Sequence, residues 1–304
     1  MLFSRRLARL FLILCLMTYG TGWAAPQAWI ALAEPGGPYA EAAAALQTEL
    51  TRQQPGAVEW VVAPWSELEK RTPAPAYLIA IGSGAWTGAS LRFADAANRP
   101  VILATLVPRA SFERSVLSNS DLKATSAVVL DQPPARQAQL LRLALPDARS
   151  VGLLTGPDSQ HLQTAYRSAL TAAGFSVKVE NASERGVGPA LQALLNGSDV
   201  LLAIPDPAIF NSQTVANILS AGYRRRIPLV GFSPAYVKAG ALLSLYSTPQ
   251  QVGHATALVL RDALAGRTLP AFQSPNEFVV KVNQDVARAF GISLDEQSLN
   301  AALR

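Results

Sequence analysis

Residues 151–180 read VGLLTGPDSQHLQTAYRSALTAAGFSVKVE, and the spacing of their apolar residues changes twice. Residues 151–155 and 177–180 are short runs rich in valine or leucine, which predicts two β-strands. Between them, residues 159–173 carry apolar side chains at helical spacing, and Gly174 follows as a typical residue for ending a helix. A strand, a helix and a second strand in this order predict a parallel β-sheet with a right-handed crossover.

The same alternation of short apolar runs and amphipathic stretches continues through the rest of the chain. Further strands are predicted at residues 28–33, 58–63, 77–81, 101–107, 127–130, 200–204, 229–232, 242–246 and 278–282. Further helices are predicted at residues 39–53, 85–96, 135–143, 187–196, 212–223 and 249–265. Several strand runs are continuously apolar, as in sheets that helices cover on both faces. The sequence therefore predicts an α/β protein with parallel sheets.

Two segments interrupt this alternation and predict two lobes. Residues 108–123 are polar and are predicted to be irregular, and residues 269–276 form a connector that contains proline. Such segments are expected where a chain passes from one α/β unit to another. The predicted division gives residues 26–126 and 234–271 to lobe 1, and residues 127–233 and 272–304 to lobe 2. A single doubly wound sheet is the alternative arrangement.

Residues 1–25 are predicted to be a secretory signal peptide and not part of the fold. Three arginines (Arg5, Arg6 and Arg9) precede the apolar run at residues 10–17, and small residues follow at residues 22–25. We expect cleavage after Ala24. The apolar run is shorter than the ~20 residues of a membrane-spanning helix, although an uncleaved anchor and a twin-arginine signal are the alternatives. Cleavage would remove Cys15, the only cysteine.

The charge balance argues against a nucleic-acid partner. The chain has 26 Lys and Arg against 21 Asp and Glu, and removing the three arginines of the leader leaves 23 against 21. The densest basic run, residues 223–226 (YRRR), is interpreted as the solvated end of a helix. A nucleic-acid surface would need more basic residues, with aromatic residues between them.

Loops that follow the predicted strands are the candidate ligand-binding segments, because ligands of open α/β sheets bind at the carboxyl ends of strands. Ser83, Gly84 and Ala85 follow the third strand, where the backbone can approach a ligand; a tight turn without a ligand explains them equally well. Asp206 follows the eighth strand and would either bind an ammonium group or cap the next helix. The glycine spacing near residue 83 does not match the dinucleotide fingerprint, so we expect no cofactor.

The segment nearest to a catalytic motif is residues 231–235 (GFSPA), which resembles the Gly-x-Ser-x-Gly nucleophile elbow. The last glycine is absent, and Pro234 alters the turn. Neither His161 nor His254 lies in the late loop that the order of a hydrolase triad requires. Two separate histidines, with no cysteine outside the leader, also form no metal-ligand cluster. We therefore expect a protein that is not an enzyme, with a hydrolase using Ser233 as a remote alternative.

Several segments together resemble the ABC-transporter substrate-binding protein family. They are residues 131–137 (DQPPARQ), 152–159 (GLLTGPDS), 202–211 (LAIPDPAIFN), 217–223 (NILSAGY), 228–240 (PLVGFSPAYVKAG), 246–250 (YSTPQ), 278–283 (FVVKVN) and 286–294 (VARAFGISL). The resemblance is specific over residues 127–294 and weaker before them.

This resemblance implies a Venus-flytrap protein of the type I periplasmic-binding fold. Two Rossmann-like lobes, joined by about three crossing segments, would close on a small molecule, and some relatives bind amino acids. A monomeric periplasmic protein would then deliver its ligand to a membrane permease. Carried onto this chain, the implied cleft residues are Ser83, Gly84 and Ala85 from one lobe, Pro205, Asp206 and Phe210 from the other, and Phe232 and Ser233 near the hinge.

The chain departs from the family pattern after the fourth predicted strand. Many relatives have Asp-Pro-Val there, followed by Pro-Gly-Gly-Asn-x-Thr-Gly. Here the corresponding positions read LVPR at residues 106–109 and SNSD at residues 118–121. This departure leaves the ligand class open. A periplasmic sensor or adaptor of the same fold, which signals to a membrane protein, is the alternative function.

Overall fold

The computed structural model describes residues 25–94, 96–117 and 125–304. The predicted leader up to Ala24, with its cleavage site, and the divergent segment 118–121 lie outside the described residues. Within the described part of the chain, no helix is both long and apolar enough to span a membrane.

The strands form two separate sheets, and each strand is followed by a helix or a connecting loop. The described strands are β1 (Gln27–Leu32), β2 (Glu59–Pro64), β3 (Tyr77–Ile81), β4 (Val101–Val107), β5 (Thr125–Val129), β6 (Ser150–Thr155), β7 (Ser176–Asn181), β8 (Val200–Leu202), β9 (Leu229–Gly231), β10 (Leu243–Tyr246) and β11 (Val279–Val282). The first sheet has the order β2-β1-β3-β4-β5, and the second has the order β11-β10-β9-β8-β6-β7. All pairs are parallel except β10 with β11. The predicted α/β class with two parallel sheets is confirmed.

Helices cover both faces of each sheet. The described α-helices are α1 (Gly37–Gln53), α2 (Trp65–Leu68), α3 (Ser83–Arg92), α4 (Arg109–Leu117), α5 (Pro134–Ala144), α6 (Gln163–Ala172), α7 (Ala182–Arg185), α8 (Val187–Leu195), α9 (Val215–Arg224), α10 (Pro234–Ala239), α11 (Pro249–Leu264), α12 (Gln284–Phe290) and α13 (Glu296–Ala302). In β1, Ile30 packs in the core cluster that contains Leu46 of α1, whereas Trp29 faces the cluster that contains Trp86 of α3. Alternate residues of one strand thus enter two cores, which explains the continuously apolar run.

The last long helix, α11, returns to the first sheet after the chain has built most of the second. It packs against α1 so closely that a Cβ on Gly253 would lie 2.4 Å from the carbonyl oxygen of Ala42. The lack of a side chain at Gly253 therefore permits this contact. We call the first sheet with its helices, including α11, lobe 1, and the second sheet with its helices lobe 2.

The strands place the lobe boundaries differently from the sequence prediction in two places. The predicted boundary between residues 126 and 127 falls inside β5, which pairs with β4 in lobe 1. The predicted return to lobe 1 at residue 234 is also too early, because Leu243 of β10 lies beside Val230 of β9 in lobe 2. In both cases the chain adds one more strand to its sheet before it crosses. The chain crosses between the lobes three times: the first crossing follows β5, the second follows β10 and the third follows α11.

The segment after β4 is a helix and not an irregular loop as predicted. In α4, Phe112 is buried, and its ring centroid lies 5.2 Å from that of Trp86. Arg109 and Glu113, one helical turn apart, form an ion pair at 2.9 Å. Few apolar residues mark this helix in the sequence, so its periodicity is weak.

Candidate functional site

A cavity of about 420 Å³ lies between the two lobes at the carboxyl ends of their strands. It is lined by Pro38, Tyr39, Leu106 and Pro108 of lobe 1, by Pro205, Phe232, Ser233, Pro234, Ala235 and Tyr246 of lobe 2, and by Leu130, Ser247 and Pro249 where the chain crosses. This volume is within the ~300–1,000 Å³ typical of small-molecule sites. We call it the interlobe cavity.

A larger cavity, of about 630 Å³, lies at the opposite end of lobe 2. Residues that precede β6, β8 and β9 line it, among them Ala148, Asp199 and Pro228. It therefore lies at the amino ends of the strands and involves one lobe only. Because ligands of open α/β sheets bind at the carboxyl ends, the interlobe cavity is the better candidate despite its smaller volume.

The lobe 1 wall of the interlobe cavity contains a strained residue, Leu106. Its φ angle is +54°, and the pairing register of β4 with β5 shifts between Thr105 and Val107. A leucine in the left-handed region is uncommon, and such residues concentrate at functional sites. The bulge changes the direction of the strand at the point where Leu106 reaches the cavity.

Tyr39 forms another part of the lobe 1 wall, and its position depends on Gly82. A Cβ on Gly82 would lie 2.6 Å from Cε1 of Tyr39, and the φ angle of Gly82 is +91°. Both the close approach and the backbone conformation require glycine. The turn before α3 therefore supports the Tyr39 ring at the edge of the cavity.

On the lobe 2 wall, the ring of Phe232 is held by two other aromatic rings. The centroid of Tyr236 lies 4.6 Å from that of Phe232, and Phe210 meets Phe232 edge-on at 6.0 Å. The Tyr236 hydroxyl donates a hydrogen bond to the carbonyl oxygen of Phe210 at 3.3 Å. Burial raises the pKa of Tyr236 to about 12, so this hydroxyl remains protonated and can donate. Phe232 thus presents a preorganised apolar face to the cavity.

The predicted ligand-binding residue Asp206 is buried and is absent from the lining of the interlobe cavity. Its Oδ2 accepts hydrogen bonds from the backbone N–H of Ser159 at 3.0 Å and from the Ser159 hydroxyl at 2.8 Å. The backbone N–H of Asp158 donates to the same oxygen at 3.1 Å, and that of Ala208 donates to Oδ1 at 3.0 Å. Oδ2 therefore joins the loop after β6 to the loop after β8, and Oδ1 caps the turn within its own loop, which favours the capping interpretation of this residue.

Three other predicted residues lie at the start of α3, outside the lining of the cavity. Ser83 and Gly84 are exposed, whereas Ala85 is buried. A Cβ on Gly84 would lie 3.6 Å from that of Ala33, at the end of β1. Of the predicted residues, the structure brings Pro205, Phe232 and Ser233 together on the cavity wall, with Phe210 behind Phe232.

Ser233 lacks the surroundings of a hydrolase nucleophile. Its backbone is extended, with φ −154° and ψ 160°, whereas a nucleophile elbow is a sharp, strained turn. Among the described residues, its hydroxyl has no hydrogen-bond partner. His161 pairs instead with Glu113 at 2.7 Å, and Nδ1 of His254 lies 3.9 Å from Glu277. No catalytic triad is therefore assembled around Ser233 in the described part of the chain.

The three crossing segments are joined by one chain of hydrogen bonds. Nε2 of Gln132 donates to Oγ of Ser247 at 2.9 Å, and the Ser247 hydroxyl donates to the carbonyl oxygen of Glu277 at 2.6 Å. Gln132, Ser247 and Glu277 belong to the first, second and third crossing, respectively. Gln132 and Ser247 are buried, so these bonds fix the segments relative to one another at the base of the cavity.

A second set of contacts joins the lobes through α4. Arg114 forms a two-point ion pair with Asp158, one arm of which measures 2.8 Å. The Glu113 carboxylate also forms a hydrogen bond with Nε2 of His161 at 2.7 Å. Glu113 and Arg114 belong to lobe 1, and Asp158 and His161 to lobe 2. In this arrangement the lobes therefore touch on the side of the cleft that α4 occupies.

A family model described as ABC transporter substrate binding protein matches residues 76–304. No curated protein sequence shows a significant match.

Several solved structures share the fold at low sequence identity. The ligand-free, open structure of a substrate-binding protein with adhesive properties from Clostridium difficile has a TM-score of 0.65 and 14% identity, covering 89% of this chain and 96% of the other. A conserved domain protein from Vibrio cholerae has a TM-score of 0.60 and 18% identity, with 91% and 98% covered. An ABC domain from Streptococcus pneumonia in complex with L-Trp has a TM-score of 0.58 and 17% identity, with 90% and 98% covered. The predicted type I periplasmic-binding architecture is confirmed.

Proposed function

The chain belongs to the ABC transporter substrate-binding protein family, and on that premise we propose that it is the solute receptor of an uptake system. In this proposal a cleaved leader exports the protein to the periplasm, where it acts as a monomer. It binds a small molecule in the interlobe cavity and presents it to a membrane permease.

The observation that carries the proposal is that both lobes line one cavity. Tyr39 and Leu106 come from lobe 1, and Phe232 and Pro205 come from lobe 2. A ligand that touches both sets of residues stabilises the arrangement in which the lobes are close. Hinge closure of this kind converts ligand binding into a shape that a permease can recognise.

Within this proposal the site residues have different roles. Pro205, Phe232 and Ser233 contact the ligand, and Phe210 supports Phe232 from behind. Asp206 orders the loops of lobe 2 and does not touch the ligand. Gly82, in the turn before Ser83, supports the rim of the cleft by its close approach to Tyr39, and residues 83–85 begin the helix that follows.

Native mass spectrometry of the gently purified mature protein, followed by denaturation, would identify a bound molecule. Small-angle scattering with and without that molecule should then show a smaller radius of gyration in its presence. Phe232→Ala should reduce both effects, whereas Tyr223→Ala should not, because Tyr223 is an exposed aromatic residue that pairs with Phe290 away from the cavity. An empty protein that also shows no compaction with a broad metabolite panel would contradict the proposal.

A further inference from the structure

The described residues that line the interlobe cavity include no side chain that is charged at neutral pH. Five of the lining residues are prolines, namely Pro38, Pro108, Pro205, Pro234 and Pro249. Others are Leu106, Leu130 and the aromatic residues Tyr39, Phe232 and Tyr246. Burial raises the pKa of Tyr246, so its phenol remains neutral. The described part of the lining therefore offers a charged ligand no ion-pair partner.

Three ionisable residues directly follow lining residues in the sequence, but none of them lines the cavity. Nε of Arg109 donates to Glu113 at 2.9 Å. Asp131 is buried outside the lining; its Oδ2 accepts a hydrogen bond from the backbone N–H of Arg109 at 2.6 Å, whereas its Oδ1 has no hydrogen-bond partner among the described residues. Asp206 is bound on both oxygens, with Ser159 among its donors. A carboxylate or ammonium group in the cavity would lose its hydration without gaining a charged side-chain partner among the described lining residues, which is unfavourable.

Hydrogen-bonding groups are also few among the described lining side chains. Ser247 lines the cavity, but its hydroxyl already donates to Glu277 and accepts from Gln132. The Ser233 hydroxyl has no such partner among the described residues, so it can bind one polar atom of a ligand. Together with the phenols of Tyr39 and Tyr246, this is too little to satisfy a molecule with many hydroxyls.

Apolar surface, in contrast, is open to the cavity. Leu130, in the first crossing segment, is 36% exposed. The Phe232 ring is half-buried and held in place by Phe210 and Tyr236. Flat proline and aromatic faces of this kind pack well against a ring.

We infer that the ligand is an uncharged, mainly apolar, ring-bearing molecule with a single polar group. The inference rests on the proposed function and specifies the chemical class that this site accepts. The ring would lie between Phe232 and the lobe 1 wall, with its polar atom near the Ser233 hydroxyl. Zwitterionic amino acids, phosphorylated compounds and free sugars are the classes that it excludes.

Matched pairs of compounds test this by isothermal titration calorimetry on the mature protein. L-Tryptophan and 3-methylindole share a ring system, as do L-tyrosine and 4-methylphenol, and only the amino acids carry charged groups. We expect each neutral compound to bind about tenfold or more tightly than its amino acid. D-Glucose, as a polyhydroxyl compound, should not bind.

A pair of variants links the binding to the cavity. Leu130→Lys should weaken the binding of 3-methylindole about tenfold, because it places a charge in the apolar wall. Leu258→Lys is the control, since Leu258 is 37% exposed, close to the value for Leu130, but lies on α11 outside the lining. It should leave the binding unchanged.

The outcomes separate the ligand class from the function. Tighter binding of an amino acid or of glucose, with compaction in scattering, would overturn the uncharged ligand and leave the receptor function intact. Equal losses for Leu130→Lys and Leu258→Lys would place the neutral compounds outside the cavity and also overturn the inference. A protein that binds none of these compounds and nothing in a broad metabolite panel would contradict the receptor function itself.

Discussion

The side chain of Gln132 donates a hydrogen bond to the hydroxyl of Ser247 at 2.9 Å, and this bond connects two crossing segments that are far apart in the sequence. Ser247 donates in turn to the carbonyl oxygen of Glu277, in the third crossing. The Ser247 hydroxyl therefore connects all three crossing segments. Because the lobes touch through α4 as well, hinge geometry and interlobe contact together define the width of the cavity.

Ser247→Ala should destabilise the protein by about 1–3 kcal/mol, because it leaves the buried amide of Gln132 without its acceptor. Urea unfolding at neutral pH measures the change. Ser233→Ala is the matched control, since the Ser233 hydroxyl has no hydrogen-bond partner among the described residues. That variant should stay within about 0.5 kcal/mol of the wild type. Equal effects of the two substitutions would contradict the role of Ser247.

Asp131→Asn should change stability in a pH-dependent way. Burial raises the pKa of Asp131 from its usual value of 3.8 to about 6, and the hydrogen bond from Arg109 only partly opposes this. The folded state therefore binds the proton of Asp131 more tightly than the unfolded chain does. The free energy of unfolding of the wild type consequently falls as the pH rises from about 4 to 6 and stays at the lower value above pH 6. Asparagine carries no charge, so the variant should gain about 3 kcal/mol relative to wild type between pH 4 and pH 8.

Asp199→Asn provides a control of opposite sign. Burial raises the pKa of Asp199, but hydrogen bonds from the backbone of Arg149 and from Ser150 outweigh it and hold this pKa below its usual value. Asp199→Asn should therefore become less favourable relative to wild type as the pH rises through the acidic range. Urea unfolding of both variants across this range gives the comparison. If the free energies of unfolding of Asp131→Asn and the wild type changed with pH in the same way, the raised pKa of Asp131 would be contradicted.

Leu106→Val tests the strain at the end of β4. A β-branched side chain is poorly tolerated at a φ angle of +54°, so valine should cost more here than in a regular strand. Leu103→Val in the same strand is the control, because Leu103 is also buried and lies in the regular register opposite Ile79. The substitution at residue 106 should destabilise by about 1–2 kcal/mol more, measured by urea unfolding. An equal cost at both positions would argue against backbone strain at Leu106.

Much of the fold follows from local patterns in the sequence. The continuous run in β1 predicts a strand covered on both faces, and Trp29 and Ile30 do enter opposite cores. The allocation of β10 to a lobe could not be predicted, because an apolar run looks the same whether it adds to one sheet or begins another. The α4 helix was missed because Phe112 is its main buried residue and one such side chain gives no periodicity.

The candidate site was only partly predictable, for a related reason. Pro205, Phe232 and Ser233 follow strands, and they could be predicted because ligands of open α/β sheets bind at the carboxyl ends of strands. Asp206 follows the same rule, yet its partner Ser159 is 47 residues away, and only the structure reveals that it is already bound. Leu106 reaches the cavity because of a backbone bulge, and Leu130 reaches it because of the path of the first crossing segment. Neither position can be predicted from the type of side chain.

Phe232→Ala should weaken the binding of 3-methylindole about tenfold to a hundredfold, because it removes the preorganised apolar face of lobe 2. The substitution should also lower stability, since Phe232 packs on Tyr236 and Phe210. Calorimetry well below the unfolding temperature separates the two effects, because a folded variant then reports affinity alone. Tyr223→Ala removes an aromatic pair with Phe290, at 5.5 Å, without touching the cavity, and its affinity should equal that of the wild type. If a folded Phe232→Ala protein bound the compound as tightly as the wild type, the ring of Phe232 would not be part of the binding surface.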